Sequence, residues 1–92
     1  MDEKQIEKIS KALGDTNRLK ILFDMAKQKG CKSCSEINSE LNLAQPSVSH
    51  HIKTLIDAGL ITTEKDGRFH SYQINKQNFK AYLKKLSSIT GE

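Results

Sequence analysis

Between Ser35 and Leu60 two runs with helical apolar spacing are separated by only Asn42-Leu43-Ala44-Gln45-Pro46, and that interruption narrows the fold more than any other stretch of the chain. In the first run Ile37 and Leu41 stand four apart; in the second Val48, Ile52, Leu55 and Ile56 fall along one stripe. Asn42 tolerates the left-handed conformation that ends a helix, and Leu43 can turn inward. Pro46 fits only a first helical turn, where no backbone donor is lost. Two short helices joined by a tight turn make a helix-turn-helix. The second helix is expected to end at Gly59. Its outward face carries Gln45, Ser47, Ser49, His50, Lys53 and Thr54. These hydrogen-bonding groups crowd toward the N-terminal half, the part of a recognition helix that meets base edges in a major groove.

The rest of the chain supplies a frame for this motif. Ile6, Ile9, Ala12 and Leu13 form one stripe over residues 2–13, an amphipathic first helix ended by Gly14. Asp15 is a good N-cap for a second helix, with Leu19, Leu22, Met25 and Ala26 as its stripe, Ile21 and Phe23 widening it, and Gly30 closing it. After Gly59 the runs LITTEK and RFHSYQI flank Asp66-Gly67, which predicts two strands around a tight two-residue turn. Lys65 and Arg68 flank the tip of this wing, where cations can reach phosphates beside an occupied groove. From Asn75 the helical period returns in Phe79, Tyr82, Leu83, Leu86 and Ile89, with Lys80, Lys84 and Lys85 outside. The first and last helices each present an apolar stripe remote from the central motif. Ile6, Ile9 and Leu13 from one, with Phe79, Tyr82, Leu83 and Leu86 from the other, are the expected dimer surface.

A chain of 92 residues is one small domain, 1–92, with no repeat or linker to divide it. With two Tyr, three Phe and no Trp, a sheet-sandwich core is disfavoured and a mainly α fold with a small β-hairpin is expected. The formal net charge is +4, an excess that doubles in a homodimer and suits a polyanion. Double-stranded DNA and a second copy of the chain are therefore the expected partners. No apolar run approaches the roughly 18 residues of a membrane span, and the N-terminus MDEKQIEK is charged, so a cytoplasmic protein without a membrane partner is expected. No nucleophile and base pair, phosphate loop or closed metal-ligand set is present, so no catalytic residue is assigned and the chain is not expected to be an enzyme. The alternative class is a winged-helix module for protein contact or duplex RNA binding. Sequence-selective, salt-dependent binding to duplex DNA separates the two.

Taken together, ISKALGDTNRLKIL, then LNLAQPSVSHHIKTLIDAGLI, then KDGRFHSYQI resemble the ArsR family of winged helix-turn-helix transcriptional repressors, over roughly residues 6–75. The resemblance implies a homodimer with element order α-α-α-α-β-β-α that binds an imperfect palindrome and lets go when an effector binds. It also implies that Gln45 to Lys53 read DNA and that Lys65 to His70 form the wing. Two departures stand out. Metal-sensing members carry Cys-x-Cys just ahead of an Asp-Leu or similar pair; here that pair is Glu36-Ile37 and the ligand positions hold Ser33 and Ser35. A second sensing site uses Asp and His on the C-terminal helix, yet residues 76–92 hold no Asp, His or Cys.

Cys31-Lys32-Ser33-Cys34 remains as the candidate effector or redox site, since these are the only thiols in the chain; the alternative is a pair with no sensing role. One Cys pair supplies two ligands where zinc usually takes four, so no cofactor is expected and a metal or metalloid effector is the less favoured alternative. The metal assignment stays unknown. With an external oxidant or sulfane-sulfur donor the pair can instead close into a disulfide or polysulfide bridge, which needs no further side chain, and a helix N-terminus near Cys34 favours its thiolate. His50 and His51 are adjacent, hence about 100° apart on a helix, and do not chelate one ion together. His50 is the expected DNA contact, and His51 a packed, hydrogen-bonded residue.

Overall fold

The structure, a computed structural model, describes residues 1–27, 45–67 and 69–91. The described elements are α1 (Glu3–Leu13), α2 (Thr16–Lys27), α3 (Gln45–Asp57), β1 (Ile61–Asp66), β2 (Phe69–Ile74), α4 (Lys76–Ser87) and a short 3-10 turn, Ser88–Thr90. The helix expected over the run that begins at Ser35, together with Cys31, Cys34, Asn42 and Gly30, lies outside the described residues.

Local capping chemistry sets most of the boundaries. Asp2 opens α1 by accepting from the Gln5 N–H at 2.8 Å. Asp15 opens α2 by accepting from the N–H groups of Asn17 at 2.9 Å and Arg18 at 3.2 Å. Asn75 opens α4 by accepting from the Asn78 N–H at 3.1 Å. Pro46 is the second residue of α3, inside the first turn whose N–H groups have no helical acceptor. At the other end of α3 the Leu60 N–H donates to the Leu55 carbonyl at 3.0 Å and the Gly59 N–H to Ile56 at 2.9 Å, with Gly59 at φ +82°. That bond pair is a Schellman closure, and its hydrophobic seal is Leu55 against Leu60, both fully buried.

Among the described residues one core joins the four helices and the hairpin. Ile9 and Ala12 of α1, Ile21, Leu22 and Met25 of α2, Val48, Ile52 and Leu55 of α3, then Ala58, Leu60, Ile61 and Tyr82 are its buried members. Ile6, Leu13, Ile56, Tyr72, Ile74, Phe79 and Leu86 pack against it partly exposed. The strands pair antiparallel with Ile61 opposite Ile74, Thr63 opposite Tyr72 and Lys65 opposite His70. Burial of Ile61 at the root pins the register, because a slip of one residue would turn its side chain to water.

Several sequence expectations change. The stripes place Ile9 and Tyr82 on the expected dimer surface, but each is buried in the protomer's own core; the spacing that makes a stripe does not say which partner covers it. Phe23 does not widen the α2 core stripe: it is 66% exposed, while Ile21 is fully buried. The hairpin turn falls one residue later than Asp66-Gly67, since Asp66 pairs with Phe69 and so belongs to β1. Gly67, at φ +62°, takes the positive φ that a tight primed turn demands at its first position. Gly14 ends α1 as expected, at φ −80°. Among the described residues no helix is long and apolar enough to cross a membrane.

Candidate nucleic-acid interface

α3 is amphipathic in a way that fixes which side faces outward. Val48, Ile52 and Leu55 enter the core with almost no exposure, and the Schellman closure stops the helix beside the root of β1. Burying each such aliphatic side chain stabilises the fold by about 1.5–3 kcal/mol, so rotation of the helix about its axis is opposed by three anchors at once. The opposite side then carries Ser47, Ser49, His50 and Lys53, all exposed. Thr54 is only partly exposed, and its hydroxyl donates to the His50 carbonyl at 3.1 Å, which leaves it less available to a ligand. The rings of His50 and His51 lie 5.7 Å apart, centroid to centroid, tilted by 57°.

β1 leaves α3 after only Ala58, Gly59 and Leu60, so the wing is carried by the same corner that ends the recognition helix. Lys65, near the tip, is exposed. The structure thus brings Ser47, Ser49, His50 and Lys53 onto one helix face, with Lys65 on the hairpin that follows. The side chains of Gln45 and His70, and Arg68 altogether, lie outside the described residues, as do Cys31 and Cys34.

Sequence reasoning missed Arg18. Its Nε donates to the Ala12 carbonyl at 2.6 Å and its Nη2 to Lys11 at 3.3 Å, both at the C-terminal end of α1, and its Nη1 lies 3.4 Å from His51 Nδ1 on α3. The Asp15 carboxyl beside it is held below the usual carboxylate range, first by the Arg18 N–H, against partial burial that acts the other way. The Asn17 N–H and the charge of Arg18 add to the lowering. The only signal in the sequence was an arginine in the first turn of a helix, where a cation opposes the helix dipole and needs a local reason to be there.

Comparisons with known proteins bear on the same surfaces. The family model for bacterial regulatory proteins of the arsR family matches residues 15–63, more than half of the chain, from the cap of α2 through α3 into β1. This chain belongs to the arsR family. The arsenical resistance operon repressor of Staphylococcus aureus is 36% identical to it over 89 residues, covering 97% of this chain and 84% of that protein. A crystal structure of an ArsR family transcriptional regulator superposes with a TM-score of 0.84 at 31% identity, covering 99% of this chain and 92% of the other. A homodimeric winged helix-turn-helix DNA-binding domain from Mycobacterium bovis, solved by NMR, shares the fold with a TM-score of 0.75 at 21% identity, over 96% and 79% of the two chains. This ArsR-family chain is accordingly a winged helix-turn-helix transcriptional regulator, and the relatives it matches are regulators rather than enzymes.

Proposed function

We propose that this protein represses transcription by binding a palindromic operator as a homodimer, and that a thiol-directed effector releases it. The observation that carries the reading is the division of α3: three buried aliphatic anchors on one side, and exposed Ser47, Ser49, His50 and Lys53 on the other. Gln45 extends that set in sequence, and Lys65 and Arg68 serve as phosphate contacts from the wing. Base contacts specify and phosphate contacts position, so the two groups have separable effects.

The dimer is supported by apolar surface left on the C-terminal part of the chain, where Leu83 is 57% exposed and Ile89 79%. Ile6, Leu13, Phe79 and Leu86, which the protomer covers only in part, extend that surface. Two-fold symmetry in the protein calls for two half-sites about one helical turn apart. Release through Cys31 and Cys34 is supported by their position just before the helix-turn-helix. A bridge across four residues there would bias the placement of the helix that follows, and about 1.4 kcal/mol of differential affinity is a tenfold change in occupancy.

The test begins by selecting duplexes from a random-sequence pool with the wild-type protein. A palindromic consensus is expected. His50→Ala should then cost about 1–3 kcal/mol on the selected duplex and relax its sequence preference. Lys65→Ala should weaken all duplexes alike and lower the salt slope by about one ion. Equal loss on selected and random DNA for His50→Ala removes it from the reading set. For the effector, affinity is compared for reduced protein, for protein treated with mild oxidant or polysulfide, and for Cys34→Ser. A bridge seen by mass spectrometry without any change in affinity excludes thiol-directed release.

A further inference from the structure

We propose that Arg18 is a positioning residue for sequence reading: anchored on the C-terminal carbonyls of α1, its guanidinium engages His51 and thereby fixes the rotation of α3 on which the reading face depends. The inference rests on the DNA-binding reading above. Arginine has only donors, so the hydrogen bond from its Nη1 to His51 Nδ1, at 3.4 Å, is the one made to the Nε2–H tautomer of the ring. The same guanidinium is already held at the Ala12 carbonyl at 2.6 Å and the Lys11 carbonyl at 3.3 Å, so it is not a free arm that follows the histidine. Its backbone is fixed as well, since the Arg18 N–H donates to Asp15 at 3.2 Å. Arg18 is in this way a rigid strut between the α1 to α2 corner and one flank of the recognition helix.

A strut there does something the core does not. Apolar packing at Val48, Ile52 and Leu55 opposes rotation but is non-directional, whereas a hydrogen bond is sensitive to angle. His51 is half-buried on the flank, and its neighbour His50 is exposed on the reading face, about 100° around the helix. At the roughly 5–6 Å radius of a helix with its side chains, a turn of about 10° moves a side-chain tip by about 1 Å. Base-edge hydrogen bonds fail over that distance. Phosphate contacts through a flexible lysine such as Lys65 do not, because a long side chain follows the shift. Losing the strut should therefore cost sequence selectivity while sparing general affinity.

A merely structural Arg18, capping α1, would lower stability and leave the folded protein's selectivity alone. The deciding measurement compares affinity for the duplex selected by wild type with affinity for a scrambled duplex of equal length, both in folded protein checked by circular dichroism. Arg18→Met and His51→Leu should each weaken binding to the selected duplex about tenfold and leave the scrambled duplex within about twofold. The double variant should be no worse than the weaker single one, because both remove the same contact. His51→Gln, whose side-chain oxygen can accept from the guanidinium, should restore selectivity. Equal loss on both duplexes, additive losses in the double variant, or a silent His51→Leu would each overturn the proposal. If Arg18→Met does not fold, the His51→Leu and His51→Gln pair decides alone, since neither touches the cap on α1. If wild type selects no sequence from the pool, the DNA-binding reading itself fails and the strut has nothing to position.

Discussion

α3 and α4 are amphipathic helices of nearly equal length, 13 and 12 residues, yet the protomer treats their apolar sides very differently. α3 sinks Val48, Ile52 and Leu55 into the core, and its stripe is complete within one chain. α4 buries only Tyr82, whose hydroxyl meets Ser10 Oγ at 2.9 Å; Phe79 and Leu86 are half-covered and Leu83 stands in water. A helix anchored on one side by its own chain is free to offer the other to a polyanion. A helix whose apolar side is left unfinished is suited to a second protein surface instead. Under the proposed function, similar patterning in sequence serves reading in one helix and assembly in the other.

The largest effect that would sharpen this contrast is expected from Leu83→Asp. The protomer should keep its fold, because that side chain is mostly exposed, while sedimentation should show monomers and operator affinity should fall by about 10²–10⁴-fold as the second half-site is lost. A variant that stays dimeric would move the interface elsewhere. Next in size is Leu55→Ala, which should cost about 2–5 kcal/mol of unfolding free energy in a urea titration, since it opens a cavity under the Schellman closure. A loss no larger than that of Leu83→Ala would erase the distinction between the two helices.

The smallest effect belongs to the corner that α3 leans on. Asp15 has a folded-state pKa below its unfolded value of 3.8, so its contribution is complete above that value and is lost as pH falls through the lowered one. Asp15→Asn, which can still cap α2, should flatten the acid limb of stability and leave the ranking of the larger variants at neutral pH unchanged. An acid limb identical to that of wild type would mean that the Asp15 carboxylate contributes nothing to it.

What was legible in the sequence was whatever is decided within a few residues. Asp15 caps α2 through N–H groups two and three positions on, and Gly59 closes α3 through bonds that span no more than six residues; both were readable from local chemistry alone. Phe23 was not. Leu19, Ile21, Leu22, Phe23, Met25 and Ala26 cover so much of the α2 circumference that periodicity cannot rank them, and tertiary packing chose Ile21 over Phe23. The hairpin turn was ambiguous by one residue because Gly67 suits either placement, and the buried root at Ile61 settled it. Arg18 was beyond local reasoning altogether: its partners are two carbonyls of the preceding helix and a ring 33 positions away.

The Gly59 corner ties the chain's halves together in time as well as in space. A Cβ at Gly59 would sit 2.9 Å from Asn78 Nδ2 and displace the amide that donates to the Gly59 carbonyl at 2.8 Å. The neighbouring Leu60 carbonyl accepts from the Asn75 N–H, also at 2.8 Å. Both carbonyls at the exit of α3 therefore wait for residues synthesised well after it. In a polypeptide emerging from the ribosome these two carbonyls gain their protein partners only once residues 75–78 have followed them out.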